Sequence, residues 1–214
     1  MPLINLKNPK EIFQSAYESR YCWPKNFSGY QGNCTYIKNK EIYQGIFTVS
    51  KDFKINVVNL EEEQIVKVIS SQLFEITIHR VKRNFNEIHG KNYFKEISNN
   101  SKGIEMIVSG TNEGDKYRVK DACINMVYRK IHGVIIEIFV EEFFNTGKGL
   151  LSKKYTSQQL DPITLSPKSP KYEYEDSFTN IDELWLLNSR NINFIKDNNI
   201  QTKKFLFNNL IKLP

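Results

Sequence analysis

Apolar residues first recur at helical spacing close to the start of the chain. Asn8 can cap a helix, Pro9 fits the first helical position, and Glu11 stands where a capping box needs a carboxylate. Apolar residues then form one face from Ile12 onward. We expect the helix to end by Trp23-Pro24, because a residue before proline avoids helical angles.

A second helical pattern follows about forty residues later. Asn59 is a candidate cap, and the acidic residues at 61–63 suit the positive end of a helix dipole. Apolar residues recur every three or four positions from Ile65 to Ile76. We expect this helix to run to about Arg83.

Most of the remaining chain alternates between apolar and polar residues, which is typical of strands with one buried face. Residues 29–38 and 41–50 alternate in this way, and the Asn39-Lys40 step between them predicts a hairpin turn. A long loop is predicted for 158–171, which holds three prolines. Further strands are predicted at 53–59, 93–98, 104–109, 116–120, 123–131, 133–144, 172–180, 184–196 and 200–207.

The order of these elements predicts an α+β fold in one domain covering residues 1–214. Its main part is a strongly curved antiparallel sheet, a half-barrel or barrel of roughly ten strands, with two or more helices packed on the concave side. The aromatic residues are numerous, with 14 Phe and 11 Tyr, and most of them are expected to form the core. A strongly curved sheet has more concave surface than two helices can fill, so an apolar ligand could occupy the remainder.

Composition and charge narrow the class of protein. The net charge is +6, but the cations are interspersed with acids, and the densest basic run is Arg80-Val81-Lys82-Arg83, so no nucleic-acid partner is predicted. The start of the chain shows no secretory leader, and no apolar run reaches the length of a membrane span. Cys22, Cys34 and Cys123 have no C-x-x-C pairing. We therefore expect a cytoplasmic protein without stable membrane insertion.

A polar stripe on the second helix is the first candidate site. Gln72, Glu75, His79 and Arg83 stand three or four residues apart and would share one helix face. One interpretation is a solvated edge, on which Glu75 pairs with His79. The other is that these side chains point into the mouth of the barrel, where the planar guanidinium of Arg83 would bind a carboxylate or phosphate.

The chain has only three histidines, and each stands among cations. His89 and His132 are both followed by glycine, a residue that can bend or be closely approached. The three could form a metal site with Glu75 if they converged, but their spacing does not match a local ligand pattern. Neither a nucleophile motif nor a phosphate-binding loop is present. No cofactor and no metal is predicted.

Four sequence blocks stand out along the chain: Arg20-Tyr21-x-Trp23 with Phe27-x-Gly29-Tyr30, Ile78-His79-Arg80-Val81-x-Arg83, His89-Gly90-Lys91-Asn92 and Arg129-x-Ile131-His132-Gly133-Val134. Together they resemble an uncharacterised cyanobacterial and plastid family, domain of unknown function 3386. Phe74 stands where that family is expected to carry Trp. The resemblance covers about Pro9 to Leu210 and implies a cyanobacterial source and a cytoplasmic protein, but no activity.

The order of elements is also similar to that of lipoprotein-carrier half-barrels of the LolA type, which wrap apolar ligands under helical lids. This similarity concerns the fold and not the function. Taken with the aromatic surplus, it favours a binding or carrier protein for an apolar or amphipathic small molecule, such as a lipid or pigment. The polar head of that ligand is expected to contact Glu75, His79, Arg83, His89, Arg129 and His132.

Two alternatives remain open. One is a lyase- or isomerase-like enzyme acting on a tetrapyrrole or lipid, with a histidine as general acid or base. The other is an interaction module with an exposed apolar patch and no cavity. Neither the identity of the ligand nor the oligomeric state follows from the sequence.

Overall fold

The computed structural model of the protein describes residues 8–214. Residues 1–7, the start of the stretch in which we predict no secretory leader, lie outside this range. The described chain contains three helices, α1 (Pro9–Glu18), α2 (Glu63–Arg80) and α3 (Phe85–His89). It contains twelve strands: β1 (Gly29–Lys38), β2 (Glu41–Ser50), β3 (Ile55–Val58), β4 (Asn92–Asn100), β5 (Gly103–Gly110), β6 (Lys116–Lys120), β7 (Cys123–Ile131), β8 (Val134–Asn145), β9 (Leu150–Leu160), β10 (Tyr172–Ile181), β11 (Leu184–Lys196) and β12 (Asn199–Lys212).

These elements group into two compact units. Unit 1 consists of the chain up to Tyr21 and of Arg83–Lys171, and it contains α1, α3 and β4 to β9. Unit 2 consists of Cys22–Lys82 and Tyr172–Pro214, and it contains α2, β1 to β3 and β10 to β12. That residues 1–214 form one domain stays a prediction.

Unit 1 is a meander in which each strand pairs with its neighbour along the chain. The strand order is β9-β8-β7-β6-β5-β4, and every pair is antiparallel. Helix α1 places its apolar face on this sheet. Its start is stabilised by a capping box, in which the Asn8 side chain accepts the Glu11 N–H and Glu11 accepts the Asn8 N–H in return. The buried core comprises Phe13, Ala16, Tyr17, Phe85, Met106, Val108, Tyr117 and Val119.

Unit 2 combines an early and a late stretch of the chain. Its strand order is β3-β2-β1-β12-β11-β10, with β1 antiparallel to β12 and every other pair also antiparallel. Helix α2 contributes Ile69, Leu73 and Ile76 to the buried set, which agrees with the stripe that the sequence predicts. Its strands contribute Tyr30, Tyr36, Phe47, Phe205 and Phe207, each no more than 1% exposed.

Six two-residue turns connect neighbouring strands of the described chain. In five of them both central residues have positive φ, as type I′ hairpins require. The turn predicted at Asn39-Lys40 is one of them, with φ of 48° and 75°. The others are Asp121-Ala122, His132-Gly133, Asp182-Glu183 and Asp197-Asn198.

The α+β class and the antiparallel pairing are confirmed, and the bounds of several elements need correction. Helix α2 begins at Glu63, not at Asn59, because Asn59 has a left-handed φ of 62° that ends β3 instead of capping a helix. The helix ends at Arg80, so Arg83 lies beyond it and does not share its polar face. Helix α3 and strand β9 were not predicted. The described residues form twelve strands, where the sequence predicted roughly ten. The curvature and the concave placement of helices stay predictions.

Candidate functional site

An open groove on unit 2 separates helix α2 from the segment that leads into β3. Its volume is about 650 Å³. Phe53, Lys54 and Ile55 line one side, and Ser70, Ser71 and Phe74 of α2 line the other. The Phe74 side chain is 55% exposed, which leaves an aromatic ring in contact with water. The groove therefore offers a surface on which hydrocarbon can be buried.

A tight turn after β2 presents Phe53 to this groove. The Phe53 N–H donates to the Ser50 carbonyl at 2.9 Å, and the Ser50 N–H donates to the Lys54 carbonyl at 2.9 Å. Ser50 Oγ also accepts the Lys54 N–H at 3.1 Å. The φ of Phe53 is 62°, which is uncommon for a bulky residue and persists only where the surroundings enforce it. Strain of this kind concentrates at functional sites.

A stack of aromatic rings packs against the Phe53 ring. The rings of Phe53 and Phe27 lie 5.5 Å apart at 8°, and those of Phe27 and Trp23 lie 4.3 Å apart at 4°. Trp23 is buried, and its indole Nε1 donates to the Trp185 carbonyl at 3.3 Å. Its backbone N–H donates to the Arg80 carbonyl at the end of α2, at 2.8 Å. The stack therefore ties one groove wall to the helix that forms the other.

Behind the groove, α2 is anchored by a buried guanidinium. Arg190 on β11 is 1% exposed and binds Asp176 on β10 through two parallel hydrogen bonds of 2.8 and 2.7 Å. Arg190 Nη1 donates to Gln72 Oε1 at 3.0 Å and lies 3.5 Å from Glu75 Oε1. Two residues of the predicted polar stripe thus contact a buried cation of the sheet, which fixes the rotation of α2.

The Tyr174 ring completes the surroundings of this cation, with its centroid 5.3 Å from Arg190 Cζ. Burial, and secondly the charge of Glu75, raises the pKa of Tyr174. The hydroxyl therefore stays protonated at neutral pH.

In unit 1, His89 lies within a cluster of aromatic rings. It is 4% exposed, and the rings of Phe13 and Tyr17 meet its imidazole edge-on at 5.1 and 5.3 Å. Its Nδ1 lies 3.0 Å from Asn92 Nδ2, which also donates to Asn112 Oδ1. Because an amide nitrogen only donates, Nδ1 must accept and the proton must reside on Nε2.

Next to this cluster, a buried carboxylate organises the end of the unit 1 sheet. Asp115 is 3% exposed and accepts from Arg129 Nε at 2.8 Å, from the Tyr117 hydroxyl at 3.2 Å and from the Lys130 N–H at 3.3 Å. Burial and the Asp115 charge raise the pKa of Tyr117, while Arg129 opposes the shift. Arg129 is therefore committed to a structural ion pair.

The six predicted ligand contacts fall in different settings. Glu75 and His79 belong to α2 of unit 2, where Glu75 faces Arg190 and His79 is exposed. Arg83, His89, Arg129 and His132 belong to unit 1. There, His89 and Arg129 lie close enough that the Arg129 charge acts on the imidazole, whereas Arg83 and His132 are exposed, His132 in the β7–β8 turn. Their role in ligand binding stays a prediction.

The setting of His89 predicts a pH-dependent stability. Burial, followed by the charges of Arg129, Arg20 and Lys10, lowers the pKa of His89 from 6.5 to about 4. Between these values the unfolded chain binds a proton that the folded chain does not, so the free energy of unfolding falls as the pH falls. We expect a loss on the order of 2 kcal/mol between pH 6.5 and 4, measured by urea unfolding at a series of pH values.

The matched variant is His89→Gln, which keeps a neutral side chain that can accept from Asn92. The carboxylates titrate alike in both proteins, so the difference between the two pH profiles isolates His89. Nitrogen chemical shifts of the imidazole should also report the Nε2–H form at neutral pH. Parallel profiles for the two proteins would contradict the assignment.

Within residues 8–214, no group of three or more His, Cys, Asp or Glu side chains is arranged to hold a metal ion. No described helix is long and apolar enough to cross a membrane.

These features define a class of protein: α+β, built from antiparallel strands, with an apolar surface groove beside a helix that a buried ion pair fixes in place. The chain belongs to the family described as protein of unknown function DUF3386, whose model matches residues 5–213. The family predicted from the four sequence blocks is thereby confirmed.

Comparison with solved structures finds matches at very low identity. A LolA superfamily protein, NE2245, from Nitrosomonas europaea is 9% identical, with 97% of this chain and 96% of that chain covered and a TM-score of 0.35. A DUF1329 family protein from Desulfovibrio piger is 11% identical, with 96% and 94% covered and a TM-score of 0.30. The complex of MucA and MucB from Pseudomonas aeruginosa is 9% identical, with 94% of this chain and 93% of that chain covered and a TM-score of 0.28. No curated protein matches the chain in sequence.

Proposed function

We propose that this protein is a binding or carrier protein for an apolar or amphipathic small molecule, and that an acyl chain of the ligand lies in the groove of unit 2. The observation that carries the proposal is the exposed Phe74 ring opposite Phe53 across a groove of about 650 Å³. That volume falls within the range of small-molecule sites, roughly 300–1,000 Å³. The rigid ring stack beneath Phe53 supports a preformed surface, which lowers the entropy lost on binding.

The charges around the groove favour a ligand with an anionic head. Lys54 is exposed and stands between the two apolar residues Phe53 and Ile55 on one wall. On the opposite wall, the Ser71 hydroxyl donates to the Lys67 carbonyl, while Lys67 pairs with Glu63 at 2.6 Å. Lys54 is therefore the lining residue that supplies positive charge, as a carboxylate or phosphate head requires. A fatty acid is the simplest molecule with this combination.

Replacing Phe74 with serine should weaken binding of a fatty acid by about tenfold, because the ligand loses the ring against which its chain is buried. The probe is cis-parinaric acid, whose fluorescence rises when it leaves water, titrated with the full chain. Tyr93→Ser is the matched control, since Tyr93 is an exposed aromatic residue, 75% exposed, on unit 1. Equal affinity of the wild type and the Phe74→Ser variant would sink the groove assignment.

The role of the head is tested separately with Lys54→Ala. This variant should bind the acid more weakly but the methyl ester of the same probe equally well, because only the acid carries a charge. Lys51→Ala, which removes an exposed cation of the same turn, is the control. The same titration of Arg83→Ala and His132→Ala decides whether those two predicted residues contact the head.

A further inference from the structure

A rigid loop at one end of the unit 1 sheet is not explained by the core or by the proposed groove. It comprises residues 161–166 and is closed by a bridge between Leu160 and Pro167. The Asp161 carboxylate accepts the N–H groups of Ile163 and Thr164 at 2.9 and 3.0 Å, and it pairs with Lys168 at 3.1 Å. These interactions hold the pKa of Asp161 far below its usual range. The backbone of the loop is therefore fixed from within.

This fixed loop presents two aliphatic side chains to water. Ile163 is 89% exposed and Leu165 is 55% exposed. Leu165 has a φ of 59°, a conformation that is uncommon for a residue with a large side chain, and its N–H donates to the Asp161 carbonyl at 3.0 Å. A loop that needs only to connect two strands would carry polar or glycine residues at such positions. Leu165 therefore holds an uncommon backbone conformation while its side chain stays exposed to water.

Exposed cations lie at the same end of the sheet. Ile135 at the start of β8 pairs with Leu160 at the end of β9, so the β7–β8 turn and the loop project from one end. Lys130 precedes that turn and is exposed, and Lys168, which also pairs with Asp161, and Lys171 are exposed where the chain continues after the loop. Neighbouring strands are about 4.8 Å apart, which places the turn within roughly two strand spacings of the aliphatic pair.

We propose that this end of unit 1 docks peripherally on an anionic lipid surface, with Ile163 and Leu165 entering the interface and the surrounding lysines contacting the headgroups. Two separate protruding aliphatic side chains do not form the contiguous apolar patch on which a protein partner would pack. They match a lipid interface, which accepts isolated apolar groups and attracts a cationic rim. The proposal is independent of the ligand groove, because it rests on other residues in the other unit.

The test is cosedimentation of the full chain with vesicles of phosphatidylcholine alone and with vesicles of phosphatidylcholine and phosphatidylglycerol. The wild type should bind the anionic vesicles and release them as the salt concentration rises. Ile163→Ser with Leu165→Ser should reduce binding by about tenfold or more, since both side chains leave the interface. Lys130→Ala with Lys171→Ala should weaken binding to the anionic vesicles by roughly tenfold. The same variant should leave binding to vesicles of phosphatidylcholine alone unchanged.

The control for the aliphatic pair is Ile195→Ser with Ile200→Ser. These two residues are 65% and 76% exposed and pair across the β11–β12 hairpin of unit 2, so they match the loop pair in type and exposure. This control should bind vesicles as the wild type does. Absence of binding to anionic vesicles, or wild-type binding by the Ile163→Ser, Leu165→Ser variant, would overturn the proposal without touching the groove.

Discussion

Replacing Arg190 with methionine is expected to lower the free energy of unfolding by about 3–5 kcal/mol, since removal of one partner leaves a buried charge uncompensated. Asp176 is 2% exposed and receives both of its short hydrogen bonds from the guanidinium. Gln72 loses a donor at the same time, so α2 loses one of its attachments to the sheet. Equilibrium unfolding in urea, followed by far-UV circular dichroism, measures the change.

The matched control is the double variant Arg190→Met, Asp176→Leu. Because it removes both charges and keeps two side chains of similar volume, it should recover most of the lost stability. Asp176→Leu alone should be about as unstable as Arg190→Met. A double variant no more stable than either single variant would show that packing, and not the buried charge, decides the effect.

Replacing Phe13 with alanine is expected to lower the stability by about 3–5 kcal/mol, because a buried ring is removed and a cavity remains. Phe13 is 1% exposed, and five rings lie within 6.3 Å of its own. The ring also joins helix α1 to the core, so the variant should lose helicity near the start of the chain. Thermal and urea unfolding give the magnitude.

Phe13→Leu separates volume from ring contacts, and we expect it to be clearly less harmful than the alanine variant. Tyr93→Ala serves as the control, because it removes an aromatic ring that is already exposed to water. A loss below about 1 kcal/mol for Phe13→Ala would contradict the placement of α1 against this core.

Hairpins of unit 2 were predictable because local signals agree. In β1 and β2 the apolar alternation, the two-residue polar gap and the register all point to one pairing, with Lys38 opposite Glu41. Strand β9 was not predicted, because polar residues occupy most of 152–159 and mask the alternation. Helix α3 has only five residues, too few to show a helical period.

The buried ion pair could not be predicted from spacing. Counting back from the Asp182-Glu183 turn, a regular ladder would place Asp176 opposite Ser189. A bulge at Ser177/Phe178 moves the partner to Arg190. The contact of Gln72 with Arg190 joins residues 118 positions apart, for which no local pattern exists. The histidines were predicted as site residues because they are rare in the chain, but His89 is buried among aromatic rings. The groove residues Phe53 and Phe74 could not be told apart in the sequence from the many aromatic residues of the core.

The strand order has a consequence for the timing of folding. In unit 1 each strand pairs with the next, so low contact order favours rapid assembly once β9 has been synthesised. In unit 2, β1 pairs with β12, so the pairing of Tyr30 with Lys212 cannot form until the end of β12 has been synthesised. The apolar faces of β1 to β3 are therefore expected to stay incompletely covered through most of translation, which makes this hairpin the segment of the nascent chain with the greatest need of chaperone protection.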